Sequence, residues 1–412
     1  MTSQMQWVNA LSTKPSLEGA ICEVAEQIKR VLIGSPDLGI LFISSAYASD
    51  YPRLLPLLLE ELPLKTLIGC GGGGIVGVRG NGRIEEVEET AAISLSVAYL
   101  PKAKIHSFHV LDSALPDLDD PPSAWIELLG IEPHERPHFI LLSEPSVTGI
   151  NNLLDGLDFV YPDSVKVGGL SSSPVENCLF YYAPDSPPTI YQEGTIGLAL
   201  AGEIIVEAVV AQGCRPIGDP YMITKGERNI ILELSDQEFG AKSYPPLEAL
   251  RNLLESLDDK DRQLAQSSLF VGLARDEFKM QLKQGDFLIR NLLGVDPRAG
   301  AMAIGDKVRS GQRIQFHLRD AQTSLHDLEY FLQDYQEKNS YQNPPLGALM
   351  FSCLGRGQGL YGSPNFDSTL FSKYFPGTSL GGFFCNGEIG PVGGLTFLHG
   401  YTSVFAIVRE TL

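Results

Sequence analysis

The chain has 412 residues, about two to three times what one ordinary hydrophobic core supports, so more than one packed unit is expected. Hydrophobic residues make up 43% of it and charged residues 20%, which excludes a disordered or fibrous chain and calls for a large core. Thirty-one Lys and Arg against fifty Asp and Glu leave a net charge of −19, whose field repels phosphate backbones and anionic lipid; nucleic acid and membrane surfaces are disfavoured as partners.

The first twenty residues carry neither a basic n-region nor an unbroken apolar run, so no signal peptide is expected and the cytoplasm is the expected location. The most apolar long window, 194–213, is interrupted by Glu203 and Glu207, each costly at the centre of a bilayer, and reads as part of a soluble fold. Six cysteines, at 22, 70, 178, 214, 353 and 385, show no CxxC or paired zinc spacing, so free reduced thiols are expected.

Ser16 is a suitable cap for a helix in which Leu17, Ile21, Val24 and Ile28 form one apolar stripe. Next come a buried strand, GILFISS, a helical connector, YPRLLPLLLEELP, and a second buried strand, KTLIGCGGGG, that ends in glycines. AAISLSVAYLP and AKIHSFHVL add two more strands. The same phrase then returns as PHFILLSEPS, NNLLDGLDFVYP and SVKVGGLSSS, and a third time as LGALMFSC, STLFSKYFPG and SLGGFFCNGE. The spacing is about 29 residues from Ile40 to Gly69, about 29 from Phe139 to Gly168 and about 33 from Ala348 to Gly381, which argues for duplication. Units near 37–101, 137–202 and 346–408 are expected to share one topology, with the FHLRD region as a degenerate fourth.

Between the second and third copies, Leu247, Leu250, Leu254 and Leu257 mark an amphipathic helix, followed by a charged stretch, DDKDR. A boundary is expected near residue 240. The fold class expected is α/β, with mixed β-sheets flanked by helices and built from repeated β-α-β-β units in two tandem domains. A helical segment over 1–36 precedes a first domain over 37–235, and a second domain covers 240–410.

Parallel strands joined by a crossover helix bring their carboxyl ends to one edge of the sheet, where open α/β sheets bind ligands. In the third unit that edge carries Cys353, Arg356 and Gly357 opposite Asn386, Gly387 and Glu388. Arg356 is chemically fit to grip a carboxylate with both arms and Glu388 to receive an ammonium group; the alternative is a structural ion pair between the two. Cys353 and Cys385 are expected side by side at these strand ends.

The first unit has Ser44 and Ser45 opposite Gly71 and Gly72. Four consecutive glycines, Gly71 to Gly74, can nest an anion, but they fit no nucleotide fingerprint, and a plain chain turn is the favoured reading. Arg215, in the segment QGCRPIG, either lines the ligand edge or caps a compact turn; the turn is favoured. His317 beside Arg319 reads as a surface or packing residue rather than a catalyst. His106 and His109 lie on opposite faces of a strand, so no metal site is assigned. A thiol nucleophile at Cys214, Cys353 or Cys385 needs a base and a lowered pKa, and the sequence supplies no sign of either.

Taken together, KTLIGCGGGGIVG, EETAAISLSVAYLP, TIGLALAG through VVAQGCRPIGDP, FHLRDA, FSCLGRGQGLYG, GFFCNGEIGPVGG and FLHGYTSVFAIV resemble the FIST family, with its N-terminal and C-terminal FIST domains. The resemblance implies an intracellular sensory module that binds small ligands such as amino acids or other carboxylates and passes the signal on. It directs attention to Gly69 to Gly74, Gln212 to Gly218, Cys353, Gly355, Arg356, Gly357, Gly387, Glu388 and Gly390. Some members are connected with haem and gas sensing, which adds haem as a candidate cofactor, and eukaryotic relatives carry an F-box. No attached kinase or cyclase output is expected, and an acidic stretch, LSDQEFGAK, stands where relatives resemble a small-residue and proline-containing turn, so output is expected in trans through a protein partner. The competing class is a redox protein or an enzyme using Cys353 or Cys385.

Overall fold

Ser16 accepts a hydrogen bond from the Gly19 N–H and starts the first helix where the apolar stripe begins. Leu17, Ile21, Val24 and Ile28 are buried along that helix, and each such side chain contributes about 1.5–3 kcal/mol relative to its exposure. The structure is a computed structural model and describes residues 4–236, 242–276, 279–339 and 343–411. The boundary expected near residue 240, and part of the LSDQEFGAK stretch, lie outside the described residues. The chain packs as two compact units, one formed by residues 1–210 with 329–412 and the other by 211–328.

The larger unit consists of three copies of one pattern. The first copy runs β1 (Gln6–Ser12), α1 (Leu17–Val31), β2 (Leu38–Ser44), α2 (Tyr51–Glu61), β3 (Thr66–Gly72), a hairpin β4 (Ile75–Val78) and β5 (Ile84–Val87), then β6 (Ile93–Tyr99). The second runs β7 (Ala103–Val110), α3 (Pro122–Leu129), β8 (His138–Ser143), α4 (Ile150–Val160), β9 (Lys166–Leu170), a hairpin β10 (Leu179–Ala183) and β11 (Ser186–Tyr191), then β12 (Thr195–Gly202). The third opens with β13 (Ile204–Ala211) and is interrupted by the smaller unit. That unit holds β14 (Arg215–Glu227), β15 (Ile230–Asp236), α5 (Pro246–Ser256), α6 (Asp259–Ala265), β16 (Leu269–Ala274), β17 (Phe287–Asp296), β18 (Ala301–Ile304) and β19 (Arg313–Leu318). The third copy resumes with α7 (Ala321–Lys338), β20 (Gly347–Cys353), α8 (Gly357–Tyr361), α9 (Phe366–Tyr374), β21 (Leu380–Cys385), a hairpin β22 (Glu388–Val392) and β23 (Leu395–His399), then β24 (Ser403–Glu410).

Each copy builds a mixed six-stranded sheet around its own parallel pair, β2 with β3, β8 with β9 and β20 with β21. The sheet orders are β1-β6-β2-β3-β10-β11, β7-β12-β8-β9-β22-β23 and β13-β24-β20-β21-β4-β5. Every copy therefore lends its hairpin to another copy's sheet, first to third, second to first and third to second. The inner faces share one core: Phe42 stacks on Phe383 at 4.9 Å and meets Phe351 edge-on at 6.3 Å. The outer faces are covered by helices, α1 and α2 on the first sheet, α3 and α4 on the second.

The α/β class and the three-fold duplication stand. The fourth unit does not: FHLRD is the end of β19, in a closed barrel ordered β14-β15-β18-β17-β16-β19. Alternation puts Ile314, Phe316 and Leu318 on one face of that strand, and the other face is buried as well, which the repeat pattern cannot reveal. QGCRPIG is also corrected, because from Arg215 onward it is strand, broken only by a shift in register between Ile217 and Tyr221 where Gly218 takes φ 62°. DDKDR belongs to α6, which Asp258 caps through the Asp261 N–H. A strand, β1, stands ahead of the first helix and pairs with β6.

Candidate functional site

The glycine-ended strands meet end to end. A side chain is excluded at Gly69, Gly168 and Gly382 alike, because a Cβ there would lie 2.4, 1.8 and 2.1 Å from the carbonyl oxygens of Leu41, Leu141 and Met350 on the paired strands. Beyond these glycines the three segments bond to one another. Ser172 N–H and Ser171 Oγ both donate to Gly71 O, at 3.1 and 2.9 Å, and Gly73 N–H donates to Ser172 Oγ at 2.8 Å. Phe384 N–H reaches Gly74 O at 2.9 Å, Asn386 N–H reaches Leu170 O at 3.1 Å, and Leu170 N–H reaches Gly387 O at 2.9 Å. The glycine run is thus a junction between copies: Gly71 N–H goes to Cys178 O and Gly73 N–H to Ser172, so neither is aimed at an anion.

Ser44 closes β2, where its Oγ accepts from the Ala92 N–H and its carbonyl from Tyr51 Oη; Ser45 begins a short 3-10 turn. Gly72 pairs in register with Ser44, and Cys353 with Cys385. The two cysteines stand side by side as expected. Asn386 is exposed at the junction, whereas Gly387 and Glu388 are buried, and Glu388 Oε2 accepts from the Thr402 N–H at 3.0 Å.

Arg356 is fully buried, and its fork is filled. Nε donates to Asp367 Oδ2 at 2.8 Å, Nη2 to Asp367 Oδ1 at 3.0 Å and to Tyr361 Oη at 2.5 Å, and Nη1 reaches Tyr401 O at 3.4 Å. The acid that the guanidinium grips is therefore Asp367 of α9, a residue the sequence reading passed over, and the ion pair imagined with Glu388 is not the one formed. Burial opposes charge on Asp367, but Arg356 outweighs it and holds the carboxyl below its usual range. Gly357, at φ 57°, lets the chain turn beneath Glu88, whose carboxylate accepts from the Gln358 N–H.

Among the described cysteines, Cys22 is exposed and Cys353 half-buried, while Cys70, Cys178, Cys214 and Cys385 are buried. Burial pushes the Cys70 and Cys385 thiols well up and Cys178 to about 11, the opposite of an activated nucleophile. In a native thiol titration Cys22 and Cys353 should react fast and the other four only on unfolding. Fast reaction of four or more would contradict this packing.

The smaller unit holds a polar cleft of about 280 Å³ lined by Arg215, Lys260, Gln284, Asp320, Gln322, Thr323 and His326. Strand β14 delivers Arg215 at its first residue, beside Leu318 of β19. Its Nη2 bonds Asp261 Oδ1 at 2.5 Å, and the side chain stays about one-third exposed. Asp320 precedes α7 and accepts from the Thr323 N–H at 2.6 Å; burial opposes its charge, yet Thr323, Lys260 and Arg215 hold its carboxyl below the usual range. The wall behind is fixed by Asp327, which accepts from the Gly213 N–H at 2.7 Å and from the Gln284 amide. Both charge signs and two amide side chains thus face one hollow. Sequence reasoning found Arg215 but not its company, since Lys260, Gln284 and Asp320 are far apart in the chain and α6 and β14 had not been recognised. Of the surface and packing roles open to His317 the structure shows packing: it is buried against Phe287, and desolvation lowers its pKa to about 4.

Comparison with known proteins places these units in a wider set. The chain is 32% identical over 398 residues to "Uncharacterized protein Rv0628c" of Mycobacterium tuberculosis, covering 96% of this chain and 98% of that protein. It is 31% identical over 403 residues to "Uncharacterized protein Mb0898c" of Mycobacterium bovis, covering 97% and 98%. Over 124 residues it is 34% identical to "F-box/LRR-repeat protein At5g63520" of Arabidopsis thaliana, which is 26% of this chain and 23% of that one. A crystal structure of cyanuric acid hydrolase from A. caulinodans aligns over 99% of this chain and 100% of that one, at 8% identity and a TM-score of 0.34, too low to speak for the fold or the chemistry. No helix among the described residues is long and apolar enough to cross a membrane. FIST domains are associated with signal transduction and small-ligand sensing. The FIST N domain matches residues 37–237 and the FIST C domain residues 246–391, so this chain belongs to the FIST family.

Proposed function

We propose that this protein is a sensor for a small polar ligand carrying a carboxylate, an amino acid or a simple organic acid, held in the cleft beside Arg215, and that it signals in trans to a partner protein. The observation that carries the reading is the cleft itself, where an arginine edge and Lys260 stand ready for an acid and Asp320 for an amine. Its volume lies near the lower end of the roughly 300–1,000 Å³ range of ligand pockets, which suits a molecule of amino-acid size. Lys260 has no hydrogen-bond or ion-pair partner among the described residues, so an incoming acid displaces only water from it. Haem suits this cleft poorly: His326 lines it and imidazole is a haem ligand, but the other walls carry charged, amide or hydroxyl groups where a porphyrin face needs apolar ones.

The test is a thermal-shift screen of amino acids, organic acids and matched amines, run on the wild type and on Arg215→Ala. A carboxylate ligand should raise the melting temperature of the wild type, by mass action, and leave the variant unmoved. Arg215→Ala itself should cost no more than about 1 kcal/mol, since the ion pair it removes is partly exposed. Equal shifts in both proteins would move the ligand elsewhere.

A further inference from the structure

We propose that Glu86 is a proton-binding clasp: protonated, it holds the β4–β5 hairpin of the first copy on the third copy, and its ionisation loosens that hold. Glu86 lies on β5, the edge strand of the third sheet, yet it is buried, with only 5% of its surface exposed. Its N–H donates to Asn365 Oδ1 at 2.6 Å, and its Oε1 accepts from the Ser368 N–H at 2.7 Å, in the first turn of α9. Main chain and side chain therefore both tie the lent hairpin to α9.

The remaining oxygen has no such tie. Glu86 Oε2 and Ser368 Oγ are buried in the same turn without a well-formed hydrogen bond, and the pull of the Ser368 hydroxyl on the carboxylate, which favours its charged form, is outweighed by burial and by Asp367. An ionised carboxylate in that position is costly, because an orphaned buried acceptor forfeits its hydration.

The charged and titratable groups that face it make the cost larger. Asp367 lies on α9, Glu88 follows β5, and Arg356 and Tyr361 flank α8; Arg356 and Tyr361 both bond to Asp367. Asp367 is thus a second buried carboxylate close to Glu86, and its negative charge opposes the ionisation of Glu86. A proton on Oε2 removes the second charge and turns the orphaned acceptor into a donor.

Burial first, and Asp367 second, push the Glu86 carboxyl from 4.5 up to about 7. The sign follows directly. A detached hairpin exposes Glu86 to water and lets its proton go near 4.5, so between that pH and about 7 the closed form holds a proton that the open form has lost. Opening becomes easier by up to about tenfold per pH unit across this window and levels off above it. Because β4 pairs Ile75 and Val76 with Phe383 and Gly382, opening bares the edge of β21.

Hydrogen exchange read by mass spectrometry, corrected for intrinsic rate, tests this at about pH 5.5 and pH 7.5 on the wild type and Glu86→Gln. Peptides over 75–87 should open at least about tenfold more at the higher pH in the wild type. In Glu86→Gln, which keeps an acceptor and cannot ionise, the hairpin should be equally protected at both. An unchanged wild-type hairpin, the same slope in the variant, or an equal slope in barrel peptides over 287–304 would overturn the clasp. The wild-type slope and the barrel control need no variant, so a poorly folding Glu86→Gln leaves them decisive.

Discussion

Asp367→Asn should destabilise the larger unit by about 3–5 kcal/mol, the loss expected when one member of a buried ion pair is removed and the other keeps its charge. Arg356 has no exposed surface, and its Nε and Nη2 both donate to Asp367, at 2.8 and 3.0 Å. Water cannot replace them. Arg356→Lys keeps the charge but not the planar fork, so it too should fall in stability. Replacing both partners at once, Arg356→Met with Asp367→Leu, should recover much of the loss, because the desolvation cost of both ions disappears. Urea midpoints of the three proteins provide the comparison. A double variant no more stable than Asp367→Asn would mean that the pair does more than neutralise itself.

Gly168→Ala should be the most damaging small substitution in the chain, costing more than about 4 kcal/mol. Its Cβ would sit 1.8 Å from Leu141 O, closer than any real contact, and the atom it meets is main chain in the parallel ladder of β8 and β9. Neither strand can yield, since both are buried on their two faces. Gly69→Ala and Gly382→Ala occupy the same position in the other two copies and should behave alike. Gly359→Ala, with nothing within 4 Å of its Cβ, should stay within about 0.5 kcal/mol of the wild type. Soluble yield and melting temperature of the four variants measure the contrast.

Those three glycines also mark how far the sequence could be read. A strand buried on both faces is a continuous apolar run, and a glycine at its end announces the close approach of another chain segment, so the parallel pairs and their repetition were legible. The lent hairpins were not. β5 carries the charges of IEEV and β4 pairs with a strand from a different copy, and no periodicity within one copy can name a partner in another. The barrel was hidden for a different reason: β14 contains Pro216, Gly218 and Pro220, which read as a turn, and half of β17 is exposed. Arg356 was rightly singled out as a carboxylate grip, but a sequence cannot distinguish a ligand's acid from that of Asp367, eleven residues on. Arg215, favoured from the sequence as a turn cap, is instead a wall of the cleft.

The most direct test of the sensor reading is calorimetry with the carboxylate that stabilises the wild type most, titrated into the wild type and into Arg215→Lys. The lysine keeps the charge and loses the fork, so affinity should fall by about 1–3 kcal/mol, roughly five- to 150-fold. Glu86→Gln, which is not among the residues lining the cleft, should bind as the wild type does. Equal affinity in the wild type and Arg215→Lys would contradict a ligand held by Arg215.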